Sequence, residues 1–210
     1  RMRLVRISMP PGDWVAEGFS DLIHSDEPYP DLESDPMPTG MDEDRAGKLG
    51  AFVNYYIHQV NLMRHLFGED YDLEYVDPGE VLIVTRSASG VLGVIETAAF
   101  STSIGWQEVA SVQFEHAWVN IELPAPLAHN QPGRVTVFRD SSKADAQTGG
   151  HFTPQLPPIH AMRQQARFFA HAVAGEPTPL CTAADAIKDL QFAEQVIGGA
   201  TGTTPAKSTS

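Results

Sequence analysis

The chain has 210 residues, enough for one large domain or two small ones, and its 42% hydrophobic content supplies a sizeable core. A formal net charge of −13 and a pI near 4.9 argue against nucleic acid and anionic membrane as partners, since both demand basic patches. No apolar run approaches the ~18 residues of a membrane span, and the single cysteine, Cys181, excludes an internal disulfide and a cysteine-cluster metal site, all of which fits a cytoplasmic protein.

Arg1 to Met9, RMRLVRISM, alternates apolar residues with arginines and predicts a strand from the first residue. A natural domain rarely opens inside a strand, so the chain is expected to be cut from a longer protein. Pro10 to Asp44 predicts a long loop with six prolines; between Asp21 and Asp44 it carries nine acids and no Lys or Arg. The spacing of those acids is too irregular for a calcium loop, so a solvated loop is the simpler reading. Trp14, near its start, can stack on a ligand ring or anchor the loop to the core.

Arg45 to Gly68 predicts one helix. Leu49, Phe52, Val53, Tyr56, Val60, Met63, Leu66 and Phe67 recur at the 3.6-residue period, and Gly68 is placed to end the helix in a left-handed cap. Asn54, His58, Asn61 and His65 share a narrow arc nearly opposite that stripe. A polar stripe on a surface helix is ordinarily solvated. Solvated stripes, however, are usually Glu and Lys, whereas Asn and His are poor helix formers with more specific hydrogen-bonding uses. Two amides and two imidazoles in line can bind a polyhydroxylated ligand and move a proton.

Short strands follow: Asp72 to Val76, Val81 to Arg86, Val91 to Phe100, Glu108 to Phe114, Trp118 to Leu123 and Arg134 to Arg139, joined by short turns that predict antiparallel pairing. Val81 to Val84 is apolar on both parities, which predicts cover on both faces. Ser141 to Pro158 reads as a second loop. A helix is predicted from Ile159 to Ala174, with Met162, Phe168, Phe169 and Val173 on its apolar side. Thr182 is a plausible N-cap for a last helix, Ala183 to Ile197, with Ile187, Leu190, Ala193, Val196 and Ile197 as its buried side. Residues 198–210, rich in Gly, Thr and Ser, are expected to be disordered. The fold class is therefore α+β: a mostly antiparallel sheet with helices on one face and the other face available for dimerisation, forming one domain over residues 1–197.

Other chemistry is weakly supported. His58 and His65 stand seven apart, too wide for the usual helical metal pair, and the remaining histidines are scattered, so no metal site is expected. Cys181 has no neighbouring base in sequence, and no Gly-x-Ser-x-Gly motif occurs.

With Asn54, His58 and Asn61 at this spacing, the helix resembles the start of the C-terminal domain in the glucose-fructose oxidoreductase, inositol dehydrogenase and rhizopine-catabolism (Gfo/Idh/MocA) family. Its members are NAD(P)-dependent sugar and polyol oxidoreductases. The resemblance puts His58 on the family's catalytic histidine and Asn54 and Asn61 where many members carry Asp. It implies a substrate-binding half of such an oxidoreductase, with Asn54, Asn61, His65 and Trp14 as substrate contacts and a homo-oligomer formed through the sheet. It also implies NAD or NADP in the complete protein. None is expected on this chain alone, which has neither the Gly-x-Gly-x-x-Gly turn nor the Glu-Lys-Pro motif. The competing reading is a non-catalytic ligand-binding or oligomerisation domain of the same fold, which the Asp-to-Asn departures favour.

Overall fold

In the computed structural model, the described residues are 1–12, 25–33, 36, 39–97, 100–102, 105–128, 131–141 and 149–199. Trp14, and the tail beyond residue 199 that was expected to be disordered, lie outside them. Eight strands form one sheet in the order β2-β3-β4-β1-β5-β6-β7-β8. They are β1 (Met2–Ser8), β2 (Tyr71–Val76), β3 (Leu82–Ser87), β4 (Leu92–Glu96), β5 (Glu108–Phe114), β6 (Ala117–Leu123), β7 (Arg134–Arg139) and β8 (Gly150–Phe152). All neighbours pair antiparallel except β1 and β4, which run parallel in the register Leu4↔Leu92 to Ser8↔Glu96.

The sequence places the strands well where apolar alternation is strong. It misses β8, which lies inside the expected second loop and spans only three residues, too few for a period to show. Predicted strand 91–100 stops at Glu96, where Thr97 turns its hydroxyl to the Glu80 carbonyl.

Helix α1 (Glu43–Phe67) starts at Asp42, whose side chain accepts the Arg45 amide at 2.9 Å, and carries Glu43 and Asp44 in its first turn, where the helix dipole favours anions. It ends as expected at Gly68, left-handed at φ 70°, whose N–H donates to the Arg64 carbonyl. Helix α3 (Ala183–Gly198) opens in the full capping box of Thr182 and Asp185. Both lie on the inner face of the sheet, α1 against β1 and α3 against α1 and β2. Val60 and Met63 join Val5, Ile7, Ile83, Ile95, Ala110 and Phe192 in the core between them. Glycine at 93 is a packing requirement: a Cβ there would stand 2.2 Å from Thr85 Oγ1, 2.8 Å from Phe67 Cζ and 2.9 Å from Met63 Sδ.

One helix face differs from expectation, and another stands open. The buried side of α3 is Asp189, Phe192, Ala193 and Val196, while Ile187 and Leu190 are exposed. A charged residue leads the buried stripe because α1 supplies its partners, which a pattern of apolar residues cannot reveal. Helix α2 (Ala161–Val173) buries no residue, and Phe169 and Val173 lie open. Amphipathicity states that a stripe needs cover; it does not state where the cover is.

Among the described residues no helix lies on the outer face. There the expected double cover of Val81 to Val84 resolves into a buried Ile83 with Leu82 and Val84 half-buried on the open side. Toward the far edge Trp118 stacks on Phe138 at 5.7 Å, and the His151 ring lies 5.1 Å from Phe138.

Candidate functional site

The polar arc of α1 is divided by its neighbours. Asn54 and His58 are exposed and line a cleft of about 430 Å³ between α1, the segment before β5 and the start of α2. His58 also borders an adjoining groove of about 520 Å³, which Asn61 and His65 line farther along the helix. The cleft and the groove meet at His58 and Glu108, which line both. Asn61 is the least free of the four arc residues, because its amide donates to Asp189 Oδ2 at 2.8 Å. Arg64 Nε meets Asp189 Oδ1 at the same distance, so Asp189, almost wholly buried, is held by one cation and one amide.

The residue facing His58 from the sheet is Glu108, the first of β5. It lines both the cleft and the groove, as His58 does, and among the described residues it is the one carboxylate in either. Glu108 is only 8% exposed. The Gln59 amide donates to its Oε1 at 2.6 Å and the Trp106 indole N–H to its Oε2 at 3.3 Å. Burial raises the Glu108 pKa above the ordinary glutamate value, opposed by those two hydrogen bonds and by the field of His58. Gln59 is itself 2% exposed, and its buried Oε1 has no hydrogen-bond partner among the described residues.

Sequence reasoning passed over Glu108, Gln59 and Trp106. Two of them left a signal. Gln59 interrupts the apolar stripe three residues after Tyr56 and four before Met63. Glu108 shares the inward parity of Ala110 and Val112, both buried. Trp106 left none, since it precedes the strand; it supplies the cleft with an indole beside the polar groups. Tyr55 and Met9 add apolar wall.

This arrangement can bind a ligand with both hydroxyl and apolar surfaces and exchange a proton with it at His58. Among the described residues no group of three or more His, Cys, Asp or Glu is placed to hold a metal ion, and no helix is long and apolar enough to cross a membrane.

No protein-family model matches the chain, and no curated protein matches it by sequence. Solved structures do share its fold. A protein described as an NADPH-dependent oxidoreductase from Desulfitobacterium hafniense matches 94% of the chain and 54% of its own length with a TM-score of 0.59 at 9% identity. The UDP-N-acetylglucosamine 3-dehydrogenase of Acidithiobacillus ferrooxidans covers the same shares with a TM-score of 0.55 at 10% identity. A 3-ketoreductase from Actinomadura kijaniata, solved with NADP and TDP-benzene, matches 96% of the chain and 54% of its own with a TM-score of 0.52 at 12% identity. The chain therefore spans about half the length of the oxidoreductases whose fold it shares.

Proposed function

We propose that the chain is the substrate-binding half, one domain over residues 1–197, of an NAD(P)-dependent oxidoreductase acting on a CH–OH group of a sugar or polyol, with His58 as its general acid–base. The observation that carries this reading is the exposed His58 at the junction of cleft and groove, with Asn54 one turn before it and the buried Glu108 opposite. The shared fold with oxidoreductases that include a sugar-nucleotide dehydrogenase supports the same class.

The chain's own residues divide the work. His58 takes the hydroxyl proton as a carbinol becomes a carbonyl, or returns it in the reverse direction. Asn54 offers its amide to the imidazole or to a substrate hydroxyl, and Trp106 and Tyr55 offer ring faces to the C–H side of a sugar. Asn61 and His65 extend the contacts along the groove, and Trp14 is proposed to do so from its loop. The described residues do not fit a dinucleotide: the sheet's links include no Gly-rich turn between a strand and a helix N-terminus. In the complete protein the nicotinamide would supply the hydride chemistry, held by residues outside this chain.

The test is His58→Ala in the complete protein. Turnover should fall about 10²–10⁴-fold, the usual worth of a general acid–base. Fold stability should hold, because the side chain is exposed. Unchanged turnover would support the second reading, a non-catalytic ligand-binding or oligomerisation domain, which the uncharged Asn54 beside the imidazole favours.

The open sheet face is proposed to form a homo-oligomer. Leu82, Val84, Leu92 and Val94 share that face with the Trp118–Phe138 stack, two apolar groups separated by Arg6, Ser8, Ser111 and Gln113 on β1 and β5. A stable interface there should bury at least ~1,000 Å². Light scattering across a wide concentration range should find no monomer plateau at micromolar protein; a monomer throughout would remove this part of the proposal.

A further inference from the structure

Four observations single out Glu108. It is a carboxyl at the wall of the cleft, nearly buried, with no cation among the groups that bind it. Its two hydrogen-bond donors, Gln59 and Trp106, are neutral, so they fix its place without supplying a counter-charge. One of them, Gln59, is the residue after His58, and its own buried carbonyl oxygen has no partner among the described residues. Finally, among the described residues the other titratable groups that line its two cavities come from α1: Tyr55 and His58 in the cleft, His58 and His65 in the groove.

We propose that Glu108 is the electrostatic partner of His58, a positioning residue that faces the imidazole across the cleft and favours its protonated form during proton transfer. This rests on the reading of His58 as the acid–base. Asn54, the polar neighbour one turn earlier on α1, carries no charge and cannot do this. A carboxyl in an apolar wall is costly to ionise alone; beside an imidazolium that cost falls. Gln59 sets the geometry: from one turn of helix, position 58 presents the imidazole to the cleft while position 59 holds the Glu108 carboxyl at the cleft wall.

The coupling can be read without turnover. In the 210-residue chain, the side-chain carboxyl of Glu108 is followed by carbon-detected NMR across pH in the unmodified protein and in His58→Gln. The titration midpoint of Glu108 should move up in His58→Gln, since the imidazolium that assists its ionisation is gone; an unmoved midpoint overturns the proposal. His58 is exposed, so this variant keeps the fold. In the complete protein, Glu108→Gln should lower kcat about 10–100-fold, the scale for losing an orienting carboxylate, with KM within about twofold, and shift the pH–rate profile. Glu108→Asp should recover part of the loss. A Glu108→Gln enzyme of unaltered kcat and pH profile would also overturn it. The two readings fail separately: a shifted Glu108 midpoint with full activity in His58→Ala removes the oxidoreductase reading and leaves the pair. An unmoved midpoint with an inactive His58→Ala removes the pair alone.

Discussion

Two buried carboxylates face helix α1, and they are held in opposite ways. Asp189, on α3, meets the guanidinium of Arg64 and the amide of Asn61, each at 2.8 Å. Glu108, on β5, meets among the described residues only the neutral Gln59 amide and Trp106 indole. The first carboxylate has a fixed cation and locks two helices together. The second has hydrogen bonds but no fixed charge, and it sits beside a cleft with an exposed histidine. Matched charge makes a joint; unmatched charge leaves a group free to respond to what enters the cleft. The division also sorts the polar arc of α1, since Asn61 serves the joint while Asn54 and His58 face the cleft.

The largest stability effect should come from breaking the joint. Asp189→Ala strands Arg64, whose side chain is 11% exposed, and should cost about 3 kcal/mol in denaturant unfolding; Asp70 remains as a second partner and limits the loss. A cost below about 1 kcal/mol would show that the two carboxylates are less different than their partners imply.

Glu108 should give a smaller effect with a distinctive pH dependence. Its pKa is raised in the folded chain above the ordinary 4.5, chiefly by burial. Over the interval above 4.5 the native state then holds a proton that the unfolded chain has lost. Its contribution to stability is complete below 4.5 and is lost as pH climbs through the folded value. Glu108→Gln should flatten that decline, which thermal melts at a series of pH values would register. A parallel decline in both proteins would mean that the carboxyl is solvated.

The smallest effect belongs to His65. It is exposed on the groove side of α1, so His65→Ala should change unfolding free energy by no more than about 0.5 kcal/mol.

How much of this was legible follows from the range of each signal. Helix α1, its cap at Gly68, the capping box at Thr182 and most strands are local patterns, and they were readable. The arc containing His58 was equally local. The role of Asn61 was not, because its acceptor lies 128 residues away on another helix. The pairing of His58 with Glu108 depends on how α1 lies across β5, which no periodicity encodes. The exposed stripe of α2 shows the converse limit: its apolar pattern was legible, and a pattern does not say what covers it.

The placement of β1 sets the order in which the fold can be completed. Strands β2 to β4 form one run of chain neighbours and β5 to β8 another, so each can zip by short-range hairpins. Within the sheet the two runs meet through β1, which enters between them and pairs with Leu92 to Glu96 on one side and Val109 to Phe114 on the other. Those contacts close loops of roughly 90 residues or more, and non-local closure of that kind is the slow step in folding. In the finished sheet β1 covers the inner edges of both runs, β4 on one side and β5 on the other, and so ties the β5 end that carries Glu108 to the half of the sheet that lies under α1.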